Sequence, residues 1–157
     1  MRIEAKLEEL GLRLPEHPLA LQLPFAWVRI QGKRAFISGH GPQGLDGSLA
    51  KPLGKVGAEV SFEQAYEAAR LTGLAILGSL KRELDDLDRV TAWLRVFGMV
   101  NSAPNFTRQP DVINGFSHLI LSVWGEEAGT HARSAVGITA LPFNMPVEIE
   151  AEVEIGS

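Results

Sequence analysis

The sequence predicts an α+β fold, in which a β-sheet carries two long helices on one face. Strand-like and helix-like segments follow one another in the order β-β-α-β-α-β-β, so strands are grouped before and after the two long helices. Apolar residues make up 45% of the 157 residues and charged residues 22%, which suits a domain with a full core. We therefore expect a single domain over residues 1–157, with an N-terminal helix and connection at 1–20 and the core at 21–157.

The first half of the chain predicts one short helix, one hairpin and one long helix. A helix is expected over 3–10 with Gly11 at its end, followed by a proline-containing connection over 12–24. Strands over 26–30 and 34–38 are joined by a turn at Gln31 and Gly32. Residues 39–60 contain six glycines and form a loop. Ser61 and Gln64 form a capping box that opens a helix running to about residue 83.

The second half predicts three strands and another helix. In a strand over 89–100, Val96 shares one side with other aliphatic residues, whereas Trp93 and Phe97 share the opposite side. Apolar residues on both sides indicate a sheet covered on both faces, and self-association would cover the face without helices. Pro110 begins the second long helix and Gly125 ends it. Strands over 132–140 and 147–155 complete the chain.

Composition excludes several classes of function. The chain has no cysteine, which excludes disulfides, thiolate metal sites and a cysteine nucleophile. The formal charge is −4 and the basic residues are scattered, so nucleic acid is not an expected partner. No apolar run reaches the roughly 18 residues of a membrane span, and the first ten residues lack the apolar region of a signal peptide. A cytoplasmic protein without a membrane partner is expected.

Arg133 is the first candidate site residue. Alternation along its strand places Arg133 on the same side as Ala135, Gly137 and Thr139, whose small size leaves open volume around the guanidinium. A planar guanidinium in such a space can hold a carboxylate through two parallel hydrogen bonds. The alternative is an arginine that is simply solvated on a surface strand.

Glu148 is the second candidate. If the last two strands form a hairpin, Glu148 pairs near Thr139, roughly 20 Å along the strand from Arg133, and Glu154 becomes the neighbour of Arg133. We therefore expect Arg133 of one subunit to act with Glu148 of the next. The alternative is a solvated acidic face, because Glu150, Glu152 and Glu154 share the side of Glu148.

The histidines and the remaining acidic residues suggest no other chemistry. His17, His40, His118 and His131 have no metal-ligand spacing with nearby acids, so no metal site is predicted, and His131 either tunes the surroundings of Arg133 or ends a loop. His40 and Ser38 lack the orienting acid of a nucleophilic pair. The loop over 39–44 lacks the ending of a phosphate loop. Asp85, Asp86 and Asp88 are expected to cap or solvate a turn between helix and strand.

Several segments together form a specific pattern: Phe36-Ile-Ser38-Gly39-His-Gly-Pro42, Val112-Ile-Asn114, Arg133-Ser-Ala-Val-Gly, Leu141-Pro142 and Val147-Glu148-Ile-Glu150. In sequence and in order, they resemble the RidA (YjgF-type) family, also called endoribonuclease L-PSP. The resemblance implies a chorismate-mutase-like mixed β-sheet with two long helices on one face, and homotrimers with clefts between subunits. Many family members hydrolyse 2-aminoacrylate-type enamines and imines to 2-keto acids and ammonia.

The same resemblance implies a role for each matching residue. Arg133 matches the carboxylate-binding arginine, and Glu148 matches the acid that positions or activates water. Ser38 and Gly39 match a pair that contributes a hydroxyl and a backbone group, and Asn114 matches the family's asparagine. Ala135 replaces the family's cysteine, so only its backbone groups can contribute. The family's cleft tyrosine is missing because Tyr66 falls inside a predicted helix, which leaves Phe25 or Trp27 as an aromatic wall.

The sequence thus predicts an enamine or imine deaminase, with Arg133 and Glu148 as catalytic residues and with substrate binding at Ser38, Gly39, Asn114, Arg133 and Ala135. A small carboxylate metabolite and other copies of the chain are the expected partners, and no cofactor or metal is expected. Two other hypotheses stay open. One is a non-catalytic sensor of a 2-keto acid that uses the same arginine, and the other is a ribonuclease or translation inhibitor.

Overall fold

A computed structural model describes residues 2–16 and 23–157, and five strands form one mixed sheet in it. The spatial order of the strands is β1-β2-β5-β3-β4. Strands β3 and β4 run parallel, and every other neighbouring pair is antiparallel. The elements are α1 (Arg2–Glu9), β1 (Val28–Gln31), β2 (Arg34–His40), α2 (Phe62–Leu84), a 3₁₀ turn (Leu87–Arg89), β3 (Val90–Asn101), α3 (Gln109–Gly129), β4 (Ala132–Ile138), a second 3₁₀ turn (Pro142–Asn144) and β5 (Val147–Ile155).

The two long helices begin and end where local chemistry favours it. The Ser61 hydroxyl accepts a hydrogen bond from the backbone N–H of Gln64, whose side chain accepts one from Ser61 N–H, so the predicted capping box opens α2. Pro110 occupies the first turn of α3, where its missing N–H costs nothing. Gly125 has φ 82° and interrupts α3, and one more turn follows it before β4. Both predicted helices are therefore confirmed.

The order of the last strands differs from the predicted hairpin. Strand β4 pairs in parallel with β3, and β5 lies between β2 and β3. Arg133 therefore lies opposite Val96 rather than beside Glu154, and Glu148 lies opposite Met99 rather than near Thr139. Two physical reasons support this order. A strand–helix–strand connection through α3 suits parallel neighbours, and the alternately buried β5 is best placed as a central strand.

The core lies between the sheet and the two helices. Trp93 is 2% exposed and packs edge-on against Phe116 and Trp124 of α3, so it faces the helices. The prediction that Trp93 shares a side with Phe97 is wrong, because irregularities between Val90 and Ala92 and between Trp93 and Arg95 reverse the alternation. Phe97 does lie on the face without helices.

The face of the sheet without helices carries acidic and apolar side chains. Phe36 and Val136 are each 38% exposed on this face. Phe36 and Phe97 line a shallow depression together with Arg95 and Glu150. This face and the outer edge of β4 are the surfaces on which the predicted self-association depends. No helix in the described part of the chain is long and apolar enough to cross a membrane.

Candidate functional site

Arg133 is held on the helix-bearing side of the sheet by neutral oxygen atoms. Its Nη1 donates to Asn114 Oδ1 at 2.8 Å and to Ser117 Oγ at 3.0 Å, and its Nη2 donates to the carbonyl oxygen of Pro110 at 3.3 Å. All three acceptors belong to α3. Arg133 and Asn114, predicted separately from the sequence, are thus brought into direct contact, whereas Ser117 and Pro110 were missed.

The Arg133 guanidinium has no carboxylate partner within the described residues. No Asp or Glu among residues 2–16 and 23–157 lies within 4.0 Å of it. Asp111 acts on it only from farther away and is itself bound by Arg108 Nε at 3.1 Å. Partial burial lowers the pKa of Arg133 below its ordinary value, and the Asp111 charge opposes that shift without reversing it. The result is a half-buried cation without a counter-ion in the described part of the chain.

Small residues surround Arg133 along β4, as the alternation predicts. Ala135 packs against the edge of the core, and a side chain at Gly137 would meet Gln109 Nε2 and Ser102 Oγ at 3.0 Å. Gln109 Nε2 donates to Ser102 Oγ and to the Phe106 carbonyl, which fixes this polar rim. A thiol is absent at position 135, so Ala135 can offer a ligand hydrogen bonds only through its backbone groups.

Glu148 lies on the opposite face of the sheet, above Gly39. A β-carbon built on Gly39 would lie 3.0 Å from Glu148 Cδ and closer still to Oε2, so the glycine makes room for the carboxylate. Partial burial, followed by repulsion from Glu150, raises the pKa of Glu148 above its ordinary value. Two residues that were predicted separately, Gly39 and Glu148, are therefore brought together, and Glu148 is half-buried rather than part of a fully solvated face.

Ser38 and His40 are occupied by structural contacts. The Ser38 hydroxyl donates to the Ala26 carbonyl at 2.7 Å. The His40 ring is 2% exposed and lies between the Ser38 carbonyl, at 2.6 Å, and Ser79 Oγ, at 2.7 Å. Burial, helped by the Arg82 charge, lowers the pKa of His40 to about 4. His40 does not contact the Ser38 hydroxyl, in agreement with the expectation that the two form no nucleophilic pair.

Two aromatic side chains before β1 pack around His40. Trp27 packs on His40 with ring centroids 4.8 Å apart, and Phe25 packs edge-on against Trp27 at 5.5 Å while remaining 52% exposed. Of these two rings, Phe25 is the more exposed. Tyr66 lies inside α2 as predicted, and its hydroxyl bonds His118 Nδ1 at 2.8 Å rather than a group near Arg133.

The acidic residues after α2 are structural, as expected. Asp85 ends α2, and Asp86 accepts a hydrogen bond from the Asp88 N–H. Asp88 accepts from the backbone N–H groups of Arg2 and Ile3 and so fastens α1 to the body of the protein. Glu4 lies beside Asp86 and Asp88, and its Oε1 accepts from Lys81 Nζ and Leu87 N–H. These contacts join α1 to the turn between α2 and β3. His17 lies outside the described residues.

The predicted site residues therefore form two separate groups within one chain. Arg133, Asn114 and Ala135 form one group on the side that bears the helices. Ser38, Gly39 and Glu148 form the other group around β2 and β5. Arg133 and Glu148 lie two strands apart and are offset by three residues, about 14 Å between backbone positions, with side chains on opposite faces. One small molecule does not contact both groups within a single chain.

Comparison with known proteins assigns the family. The model of the family described as "YjgF/chorismate_mutase-like, putative endoribonuclease" matches residues 4–151, nearly the whole chain. The chain belongs to the YjgF family. Protein TCP17 of Trypanosoma cruzi is 38% identical over 156 residues, which cover 99% of this chain and 96% of that protein.

Solved structures agree with this family and with the fold. Protein Atu1372 from Agrobacterium tumefaciens shares 40% sequence identity at a TM-score of 0.89, with 99% of this chain and 93% of that one covered. A protein from Shewanella oneidensis MR-1 named as a putative endoribonuclease shares 29% identity at a TM-score of 0.89, with coverages of 98% and 99%. The Escherichia coli YjgF gene product shares the fold at 16% identity and a TM-score of 0.62. The match covers 88% of this chain and 92% of the Escherichia coli chain. The chorismate-mutase-like α+β fold is confirmed.

Proposed function

We propose that the protein hydrolyses enamines or imines derived from amino acids, giving 2-keto acids and ammonia, in clefts between subunits of a homotrimer. The observation that carries this proposal is the state of Arg133. Its guanidinium is half-buried, fixed by neutral acceptors, and without a carboxylate partner among the described residues. Such a group binds a substrate carboxylate because a bidentate ion pair replaces water around an already oriented fork.

The proposed reaction needs few groups. An enamine of the 2-aminoacrylate type first tautomerises to the imine, and water then adds to the imine carbon. The new C–O bond forms as the C=N π bond opens, which gives a tetrahedral carbinolamine. The C–N bond then breaks as the carbinolamine hydroxyl gives up its proton to the nitrogen and the C=O bond forms, and the nitrogen leaves as ammonia. Arg133 anchors the carboxylate, and Glu148 in its ionised form accepts a proton from water and returns it to nitrogen. The raised pKa of Glu148 supports this exchange at a pH nearer neutrality.

The two groups of site residues support a shared cleft. Strand β4, which carries Arg133, is an edge strand, and no other strand among the described residues pairs with its outer side. We propose that the partner contributes Glu148, Gly39 and Ser38, with Phe25 as an aromatic wall. Family members are typically oligomeric, and a trimer that encloses three such clefts would act in the cytoplasm on small carboxylate metabolites.

The test is an assay of keto-acid release. Imines are generated by an amino-acid oxidase from several amino acids, and their hydrolysis is followed for wild type, Arg133→Ala and Glu148→Gln. The proposal predicts accelerated release by wild type and loss of that acceleration in both variants. Tight pyruvate binding without turnover would instead identify a 2-keto acid sensor, consistent with Ala135 in place of the family's thiol. Ribonuclease activity that persists in highly purified protein and is lost in Glu148→Gln would instead favour the ribonuclease hypothesis.

A further inference from the structure

A chain of hydrogen bonds behind Arg133 includes two residues to which no role has been assigned. Arg133 Nη1 donates to Ser117 Oγ at 3.0 Å, and Ser117 Oγ lies 2.9 Å from His131 Nε2. His131 Nδ1 lies 2.8 Å from the carbonyl oxygen of Gly129. Ser117 is 8% exposed and His131 is half-buried, so water does not freely replace these partners.

The donors and acceptors in this chain have only one consistent direction. The Gly129 carbonyl can only accept, so His131 carries its proton on Nδ1 in the neutral form. Nε2 is then an acceptor, and the Ser117 hydroxyl donates to it. The lone pairs of Ser117 Oγ therefore face Arg133, which must donate.

This direction fixes which part of the guanidinium remains available. Both hydrogens of Nη1 are used, one on Ser117 and one on Asn114, so that end of the fork is held against α3. Nε and one hydrogen of Nη2 have no acceptor within the described residues. Two N–H groups on one arginine are what a carboxylate needs for bidentate binding.

We propose that Ser117 and His131 are positioning residues that orient the Arg133 guanidinium for the carboxylate of a 2-keto acid or its imine. This inference rests on the proposed function, because it concerns the same arginine. This orientation requires a hydrogen-bond acceptor at the position of His131 Nε2. Such an acceptor directs the Ser117 hydroxyl hydrogen away from Arg133, so that the Ser117 oxygen can accept from Arg133.

The structure contains a second chain of the same kind. Arg82 Nη2 donates to Ser79 Oγ at 3.1 Å, Ser79 contacts His40 Nε2, and His40 Nδ1 contacts the carbonyl two residues earlier. His131 likewise contacts the carbonyl two residues before it. The two chains differ in burial, because the His40 ring is enclosed in the core whereas the His131 ring is only half-buried, behind Arg133.

The charges around His131 give the inference a distinctive signal. Arg133 on β4 is the charged group that acts on His131. No carboxylate from the described residues lies within 4.0 Å of the His131 ring, and Phe116 of α3 packs edge-on against that ring. The acidic influence is indirect, because the Asp111 charge acts on Arg133. Burial, followed by the Arg133 charge, lowers the pKa of His131. A carboxylate bound to Arg133 would bring a negative charge near the ring and raise that pKa again.

The experiment measures pyruvate binding by calorimetry together with the titration of the His131 ring by NMR. Ser117→Ala and His131→Ala should each weaken binding about five- to tenfold, because the fork loses its orientation. His131→Gln should stay within about twofold of wild type, since the amide oxygen can accept the Ser117 hydroxyl. In the deaminase assay the KM of the two alanine variants should rise while kcat changes little, and the pKa of His131 should rise with saturating pyruvate.

Two matched controls lie on the same helix. Ser122→Ala removes a hydroxyl that bonds the Leu119 carbonyl, and His118→Gln removes a ring that bonds Tyr66. Both should leave binding within about twofold of wild type, and thermal unfolding checks that every variant is folded. Unchanged binding in Ser117→Ala, or equal losses in His131→Gln and His131→Ala, overturns this inference alone. Wild-type protein that does not bind pyruvate, or Arg133→Ala that binds it normally, overturns the proposed function and this inference together.

Discussion

Gly39→Ala tests whether Glu148 must occupy the position that the structure gives it. The new β-carbon would lie 3.0 Å from Glu148 Cδ and 3.3 Å from Cγ, and closer to Oε2, whereas ordinary contacts begin near 3.4 Å. The backbone at Gly39 is not in the left-handed region, so alanine itself fits the strand. The carboxylate must therefore swing aside by on the order of 1 Å, a displacement that can reduce a catalysed rate about 100-fold.

The same contact predicts a measurable coupling in stability. Forcing Glu148 out of its rotamer costs about 1–2 kcal/mol, partly offset by about 0.5–1 kcal/mol gained when alanine replaces glycine in a strand. In a Glu148→Ala background the clash is gone, and Gly39→Ala should stabilise the protein by about 0.5–1 kcal/mol. Urea unfolding of the four proteins in this double-mutant cycle gives the coupling directly. Additive effects, or full deaminase activity in Gly39→Ala, would refute the reasoning.

Three further predictions follow from the geometry around Arg133, Glu148 and His40. Arg133→Lys keeps the charge but loses the planar fork, so pyruvate affinity measured by calorimetry should fall about tenfold, and an unchanged affinity would contradict bidentate binding. Glu150→Gln removes a charge that raises the pKa of Glu148, so the acidic limb of the pH–rate profile should move to lower pH, and a shift to higher pH would oppose the assignment. His40 has a folded-state pKa of about 4 against an ordinary 6.5, so the unfolded chain binds the proton first as the pH falls. The free energy of unfolding should therefore be highest above pH 6.5 and decline by on the order of 3 kcal/mol between pH 6.5 and 4. His131 adds to this decline in the same direction, and His40→Gln should make the pH dependence of urea unfolding markedly shallower.

Local chemistry explains why much of the fold could be predicted from the sequence. The capping box at Ser61 and the proline at the start of α3 are signals within a few residues, and both appear in the structure as expected. The alternation that placed Arg133 beside Ala135 and Gly137 also holds, because β4 is a regular strand without a bulge. Asn114 was named as a site residue from the family resemblance, not from spacing, and its contact with Arg133 was not predicted.

The errors arise where distant parts of the chain decide the outcome. A short connection favours a hairpin between β4 and β5, yet β5 inserts between β2 and β3, because five alternate residues of β5 are buried as a central strand requires. The irregularities in β3 that turn Trp93 toward the helices have no simple sequence signal. Ser117 was missed because its contacts with Arg133 and His131 span 16 and 14 residues and depend on how α3 packs.

The shared cleft is the central claim, and subunit mixing tests it most directly. Arg133→Ala and Glu148→Gln proteins, each inactive alone, are unfolded together, refolded at equal concentrations and assayed for keto-acid release. If each site takes Arg133 from one subunit and Glu148 from its neighbour, random trimers regain intact sites, and about one quarter of wild-type activity should return. If both residues serve the same site from one chain, every site stays defective, and mixtures as inactive as the separate variants would contradict the account.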